Sequence, residues 1–162
     1  MILAACFGAG TMVSQVKKQR IETLRGLCAA LELMEAELGT RLSPMPELVG
    51  LLAGKMGGQT GAFFSHLSSL MEKLGAEDFS ALWQEAANAM LDALDAADLD
   101  ELCRLGHILG QYELDKQLAA VRLCAAALRS GLDAAEKEYP GEKRLGLGLS
   151  TAAGALLIIA LF

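Results

Sequence analysis

Aromatic residues are scarce in this 162-residue chain: five Phe, two Tyr and one Trp make up 5% of it. Set against abundant Ala and Leu, that shortage argues against strand-rich folds and favours helices. Cysteine is sparse as well. Cys6, Cys28, Cys103 and Cys124 are widely spaced, with no C-x-x-C pair and no neighbouring His pattern, which excludes zinc and thioredoxin-like chemistry. The last three fall in apolar helical stretches and read as small core residues in a reducing compartment. Basic charge is in deficit, with a net charge of −6. Nonspecific nucleic-acid binding needs a basic face to neutralise phosphates, so nucleic acid is excluded as a partner.

Charge is absent altogether from both ends. All 14 Lys and Arg and all 20 Asp and Glu lie between Lys17 and Arg144. The tail LGLGLSTAAGALLIIALF, Leu145 to Phe162, would span roughly 27 Å as a helix, close to the ~30 Å hydrocarbon thickness of a bilayer. Ser150 and Thr151 can bond back to helix carbonyls in lipid. The stretch MILAACFGAGTMVSQV, Met1 to Val16, is shorter and spans only if the bilayer thins or the helix continues. No basic segment precedes it, so it is not read as a signal peptide. Lys17, Lys18 and Arg20 follow the first stretch, and Lys143 with Arg144 precede the second. By the positive-inside rule the middle of the chain then faces the cytoplasm. The expected organisation is an N-terminal membrane helix at 1–16, one cytosolic helical domain at 17–144 and a C-terminal transmembrane helix at 145–162. Gly146, Ser150 and Gly154 lie four apart on one face of the tail, a spacing that permits close helix packing in membranes.

The middle reads as all-α. Leu24, Leu27, Leu31, Met34 and Leu38 recur at three and four and form a seam on a helix from Ile21 to Leu38, ended by Gly39. In SPMPEL, Ser43 serves as cap, with Pro44 and Pro46 near the first turn of a short second helix. That helix stops at the loop GGQTG, Gly57 to Gly61. A third helix covers about Ala62 to Leu74 and a fourth about Glu77 to Leu94, with Trp83. A fifth starts at Asp98, with Glu101 in capping-box spacing, and reaches Gly110. The longest carries a second seam, Leu114, Leu118, Val121, Ala125, Leu128, Leu132, Ala135 and Tyr139, until Pro140 and Gly141 interrupt it. Pairing the two seams antiparallel gives an elongated helical bundle flanked by the two membrane helices, with the short helices closing its far end as a cap.

Catalytic constellations are missing. His66 and His107 stand alone on helices, without a G-x-S-x-G elbow or an H-E-x-x-H pair. AGKMGGQTG fails the phosphate-loop pattern and reads as a flexible loop. The acids near Asp98 lack the ligand spacing and central Gly of a calcium loop. No enzymatic activity, cofactor or metal is expected.

The most distinctive stretch is LGHILGQYELDKQ, Leu105 to Gln117. Its Gly106 and Gly110 would let another helix approach closely, or mark a plain helix turn. LCAALELMEAEL, SPMPEL, FFSHL, LWQEA and this stretch, followed by EKRLGLGLSTAAGALLIIALF, occur in the order seen in the stage III sporulation protein AB family of endospore-forming bacteria, which the chain resembles over nearly its whole length. Leu105, Gly106, Leu109, Gly110, Glu113 and Gln117 match the family's most specific motif, with Glu113 in place of its usual Asp. Glu35 and Glu37 match its L-E-x-E, and Pro44, Pro46 and Glu47 its T-P-x-P-E turn, here with Ser43 for Thr.

The resemblance implies a non-enzymatic membrane component of the mother-cell to forespore channel complex. It implies a place in the outer forespore membrane facing the mother-cell cytoplasm, and a likeness to type II secretion platform proteins. Its partners would be other membrane proteins of that complex, a secretion-type ATPase and the lipid bilayer, with homo-oligomers allowed. Glu113 and Gln117, with Glu35 and Glu37 beside them, form the expected partner surface; equally, Glu113 and Gln117 could serve only to tie the helix junction. A soluble helical binding module is the rival class.

Overall fold

The computed structural model describes residues 15–40, 44–109 and 113–138, and the two longest helices run on beyond them at either end. The described elements are the α-helices α1 (Leu3–Arg41), α2 (Met45–Lys55), α3 (Gly58–Leu70), α4 (Phe79–Met90), α5 (Ala96–Leu109) and α6 (Leu114–Leu161), with a 3-10 turn at Met71–Lys73. Among the described residues the only extended pairing is an isolated bridge, Leu74 with Glu77.

The apolar period of α1 translates directly into burial. Leu24, Leu27, Leu31, Met34 and Leu38 all lie in the core. On α6, Val121, Leu128 and Ala135 are buried, while Leu114, Leu118, Ala125 and Leu132 pack half-buried against the core. Ala120 and Cys124 join them there. The two helices run antiparallel, as cross-pairs on the surface show: Arg25 with Glu136, Glu32 with Arg129 and Glu35 with Arg122.

Polar bonds fix where the shorter helices run. Thr60, in the first turn of α3, bonds to the Thr23 carbonyl on α1. Gln59 bonds to Asp92, just past α4, and Arg20 on α1 bonds to Asp98 in the first turn of α5. At the opposite end Gln117 of α6 reaches the Leu109 carbonyl at the end of α5. The chain therefore passes up and down six times. The α2–α3 and α4–α5 turns share the base with Arg20 and Glu136, and the α1–α2, α3–α4 and α5–α6 corners share the tip. Helices α2 and α3 lie along α1, α5 lies along α6, and α4 packs against α3 and α5, so the short helices flank the α1–α6 pair and do not cap its far end. Phe63, Phe64 and Phe79 gather around Trp83, with Phe63 at 5.0 Å edge-on, where α4 packs against α3 and α5.

Three local expectations are corrected. GGQTG is not a flexible loop: Gly58 takes a positive φ of 60°, and Thr60 and Gly61 are already buried in α3, so only Met56 and Gly57 connect the helices. The fourth helix is shorter than expected, Asp78 standing at its start and Leu91 at its end. The cap of α5 is Asp95, whose Oδ1 accepts the Asp98 N–H at 2.9 Å; Asp98 is buried and serves another purpose. At α2 the Pro44 carbonyl accepts the Glu47 and Leu48 N–H groups, with Pro46 in the first turn, where a missing amide costs nothing. The break expected at Pro140 and Gly141 does not occur, since α6 runs through both positions to Leu161. Ser43, Gly110, the Tyr139 side chain and both terminal membrane helices lie outside the described residues. Among the described residues, no helix is long and apolar enough to cross a membrane.

Candidate partner-docking surface

At the tip, two corners of the chain lie side by side because α1 and α6 are paired. The α1–α2 corner carries Pro44, Pro46 and Glu47, the two prolines and the carboxylate all exposed. Across it, Glu113 stands exposed ahead of α6, its carbonyl accepting the Lys116 and Gln117 N–H groups at 3.0 and 3.1 Å. Gln117 is half-buried, and its Nε2 donates to the Leu109 carbonyl at 3.2 Å, closing the last turn of α5 against the first of α6. Glu37 is half-buried in the tip half of α1.

Glu35 lies lower, bonded to Arg122 Nε at 2.7 Å. With the Arg129–Glu32 and Arg25–Glu136 pairs it forms a ladder of alternating charge along the α1–α6 seam. The residues expected to act together thus fall into two groups, Glu113, Gln117, Pro44, Pro46 and Glu47 at the tip corners and Glu35 on the ladder, with Glu37 between them.

Leu105, Gly106 and Leu109 are buried beneath the tip. Gly106 is required by a close approach: a Cβ there would overlap the Trp83 ring, while Trp83 Nε1 donates to the Leu102 carbonyl at 2.9 Å. The helix that approaches the motif closely is therefore α4 of the same chain. Gly110 lies outside the described residues, as do Gly146, Ser150 and Gly154.

Among the described residues no group of three or more His, Cys, Asp or Glu could hold a metal ion. The thiols are quiet nucleophiles: burial pushes Cys28 and Cys103 up, and Cys124 up to about 12.

The sequence reading missed a second polar region, at the base. Arg20 Nε and Nη2 donate to Asp98 Oδ2 at 3.2 and 2.6 Å, and Nη2 lies 2.5 Å from Asp95 Oδ2. Burial raises the Asp98 carboxyl above its ordinary value despite Arg20, while the bond from the Asp98 N–H holds Asp95 below it. On the far side, Gly131 of α6 comes so close that a Cβ would meet Asp98 Oδ1 at 2.6 Å. A glycine inside a long Ala- and Leu-rich helix costs about 1 kcal/mol relative to alanine, and that anomaly was the available signal.

A family model, stage III sporulation protein AB, matches residues 1–162. The chain belongs to the stage III sporulation protein AB family. Stage III sporulation protein AB of Bacillus subtilis (strain 168) is 24% identical over 162 residues, which cover 99% of this chain and 94% of that protein. A solved structure of stage III sporulation protein AB superposes with a TM-score of 0.68 at 22% identity, covering 75% of this chain and 97% of the other. At that identity the likeness shows a shared fold. Membership of the stage III sporulation protein AB family gives the chain a role in sporulation.

Proposed function

We propose that the chain is a non-enzymatic membrane scaffold of the mother-cell to forespore channel, anchored through residues 1–16 and 145–162. Its helical domain stands in the mother-cell cytoplasm from the outer forespore membrane, and its tip docks a secretion-type ATPase or other members of the complex. The observation that carries this reading is the division of the bundle. Both long helices leave toward the terminal apolar stretches from the base, where Val16 is 60% exposed, while the motif residues of the α1–α2 and α5–α6 corners collect at the tip. An anchored protein meets cytosolic partners first at the end away from its anchor. The exposed carboxylates Glu47 and Glu113 suit a partner with a basic surface.

Charge reversal tests the docking surface. Glu113→Lys is expected to abolish partner capture in a membrane two-hybrid assay while leaving the melting temperature unchanged; a large fall in melting temperature with capture retained would reassign Glu113 to the helix junction. Fractionation with and without residues 145–162 tests the anchor separately, since full-length protein recovered without detergent would remove it. Replacing Gly146, Ser150 and Gly154 by Leu is expected to weaken assembly in the membrane.

A further inference from the structure

The base of the bundle is held differently from its middle. Above Thr23 the buried contacts between α1 and its neighbours are apolar, and the directed ties to α6 there, Arg25–Glu136, Glu32–Arg129 and Glu35–Arg122, are largely exposed ion pairs that hold little; apolar seams tolerate sliding and rotation because dispersion has no direction. At the base, one helical turn of α1 supplies two directed ties. Arg20 grips the α4–α5 turn through Asp98 and Asp95. Thr23, only 4% exposed, donates through Oγ1 to Gln59 Oε1 at 3.2 Å, and Gln59 Nε2 passes on to Asp92. Thr60 Oγ1 donates to the Thr23 carbonyl at 3.3 Å, seated where Gly26 leaves room: a Cβ on Gly26 would meet that hydroxyl at 2.6 Å. Gly131 brings α6 against Asp98 from the other side. Both turns at the base and both long helices therefore meet in one polar collar, with no buried side-chain polar atom left unpartnered among the described residues.

We infer that this collar is a conformational lock: Arg20 and Thr23, held by Asp98, Asp95, Gln59 and Asp92, fix the rotation and axial register of α1 against α6 where the two helices leave the bundle. Directed bonds centred on the buried side chains of Thr23, Thr60 and Asp98, with the exposed Asp92 and Asp95 at the rim, reward one geometry and penalise its neighbours, which an apolar seam does not. The lock makes the base a rigid seat, so a load applied at the tip reaches the chain ends as a movement of the whole bundle. It goes beyond the scaffold reading and stands whether or not the ends enter a membrane.

Spin-label distances on the full-length protein in detergent micelles test it, with the native cysteines replaced. One label pair sits at the base, on the exposed positions Gln19 and Ala134, and one toward the tip, on Ala36 and Ala119. Arg20→Met, Asp98→Asn and Gly131→Ala are each expected to widen the base distribution about twofold and leave the tip distribution unchanged. Gly131→Ala alters no charge, so it separates geometry from electrostatics, and Asp98→Asn leaves Asp95 for the guanidinium should Arg20→Met fail to fold. An unchanged base distribution, or equal widening at base and tip, overturns the lock. Loss of the anchor would show only in fractionation, so the two readings fail separately.

Discussion

Trp83 and Gly106 are packed so closely that a methyl group on Gly106 would lie 2.9 Å from Trp83 Cβ and nearer still to the ring. The indole is held from the other side by Phe63 at 5.0 Å and by its bond to the Leu102 carbonyl. It cannot retreat. Gly106→Ala should therefore destabilise the bundle by about 1–3 kcal/mol, the usual range for overpacking, measured by urea denaturation followed through Trp83 fluorescence. In a Trp83→Phe background Gly106→Ala should cost less than it does beside Trp83, read by urea denaturation followed through circular dichroism because Trp83 is the one tryptophan of the chain.

Arg20 and Asp98 are not equivalent partners. Removing Asp98 leaves Arg20 with Asp95, whereas removing Arg20 strands a carboxylate whose residue is 8% exposed. Arg20→Met should cost toward the ~3–5 kcal/mol of a broken buried pair, and Asp98→Asn clearly less. Thermal melts of both variants at pH 7 check the order.

The same variant carries a pH signature. Burial already raises the Asp98 carboxyl above its ordinary value of 3.8, and losing Arg20 removes an influence that lowers it. A group raised in the folded state favours folding below its unfolded pKa, and that contribution is lost as pH rises through the folded value. The deficit of Arg20→Met relative to the parent should thus shrink as pH falls from 7 toward 4. A deficit that is constant across that range would show that Asp98 stays ionised.

Gln117 closes the α5–α6 corner through the Leu109 carbonyl. Gln117→Ala should cost about 1 kcal/mol, the net worth of one such bond, whatever its effect on partner capture. The ladder arginines are a contrast: Arg122 and Arg129 have side chains 65% and 63% exposed, so alanine at either should cost less than about 1 kcal/mol.

Cys124, 1% exposed, has its thiol pushed up to about 12. In the folded protein at pH 8 it should resist iodoacetamide, and react only once denaturant opens the bundle. Mass spectrometry before and after unfolding reads this directly.

The α1 seam was legible in the sequence because helical period and burial are the same fact seen twice: every third or fourth apolar residue from Leu24 to Leu38 reached the core. The start of α5 was misread. Asp95 and Asp98 have the same spacing as Asp98 and Glu101, and pattern alone does not say which acid caps and which is buried. The collar was invisible for a related reason. Thr23, Gln59 and Asp92 are far apart in the chain and meet only once six helices have reversed direction, and no local period records such a meeting. Gly106 was marked as a point of close approach, yet its neighbour, Trp83 on α4, could be named only from the folded chain. At the tip, the sequence singled out the corner residues and the fold brought them together, although Glu35 proved to belong to the charge ladder below.

Six is an even number of passes, and that parity has a consequence for how the chain can change over evolution. A turn at the tip can lengthen, shorten or alter its sequence without disturbing where the polypeptide enters and leaves. A turn at the base has no such freedom, because it shares its bonds with the helix that begins the fold. Any constraint on the tip corners, where the motif residues gather, must then come from something other than the path of the chain.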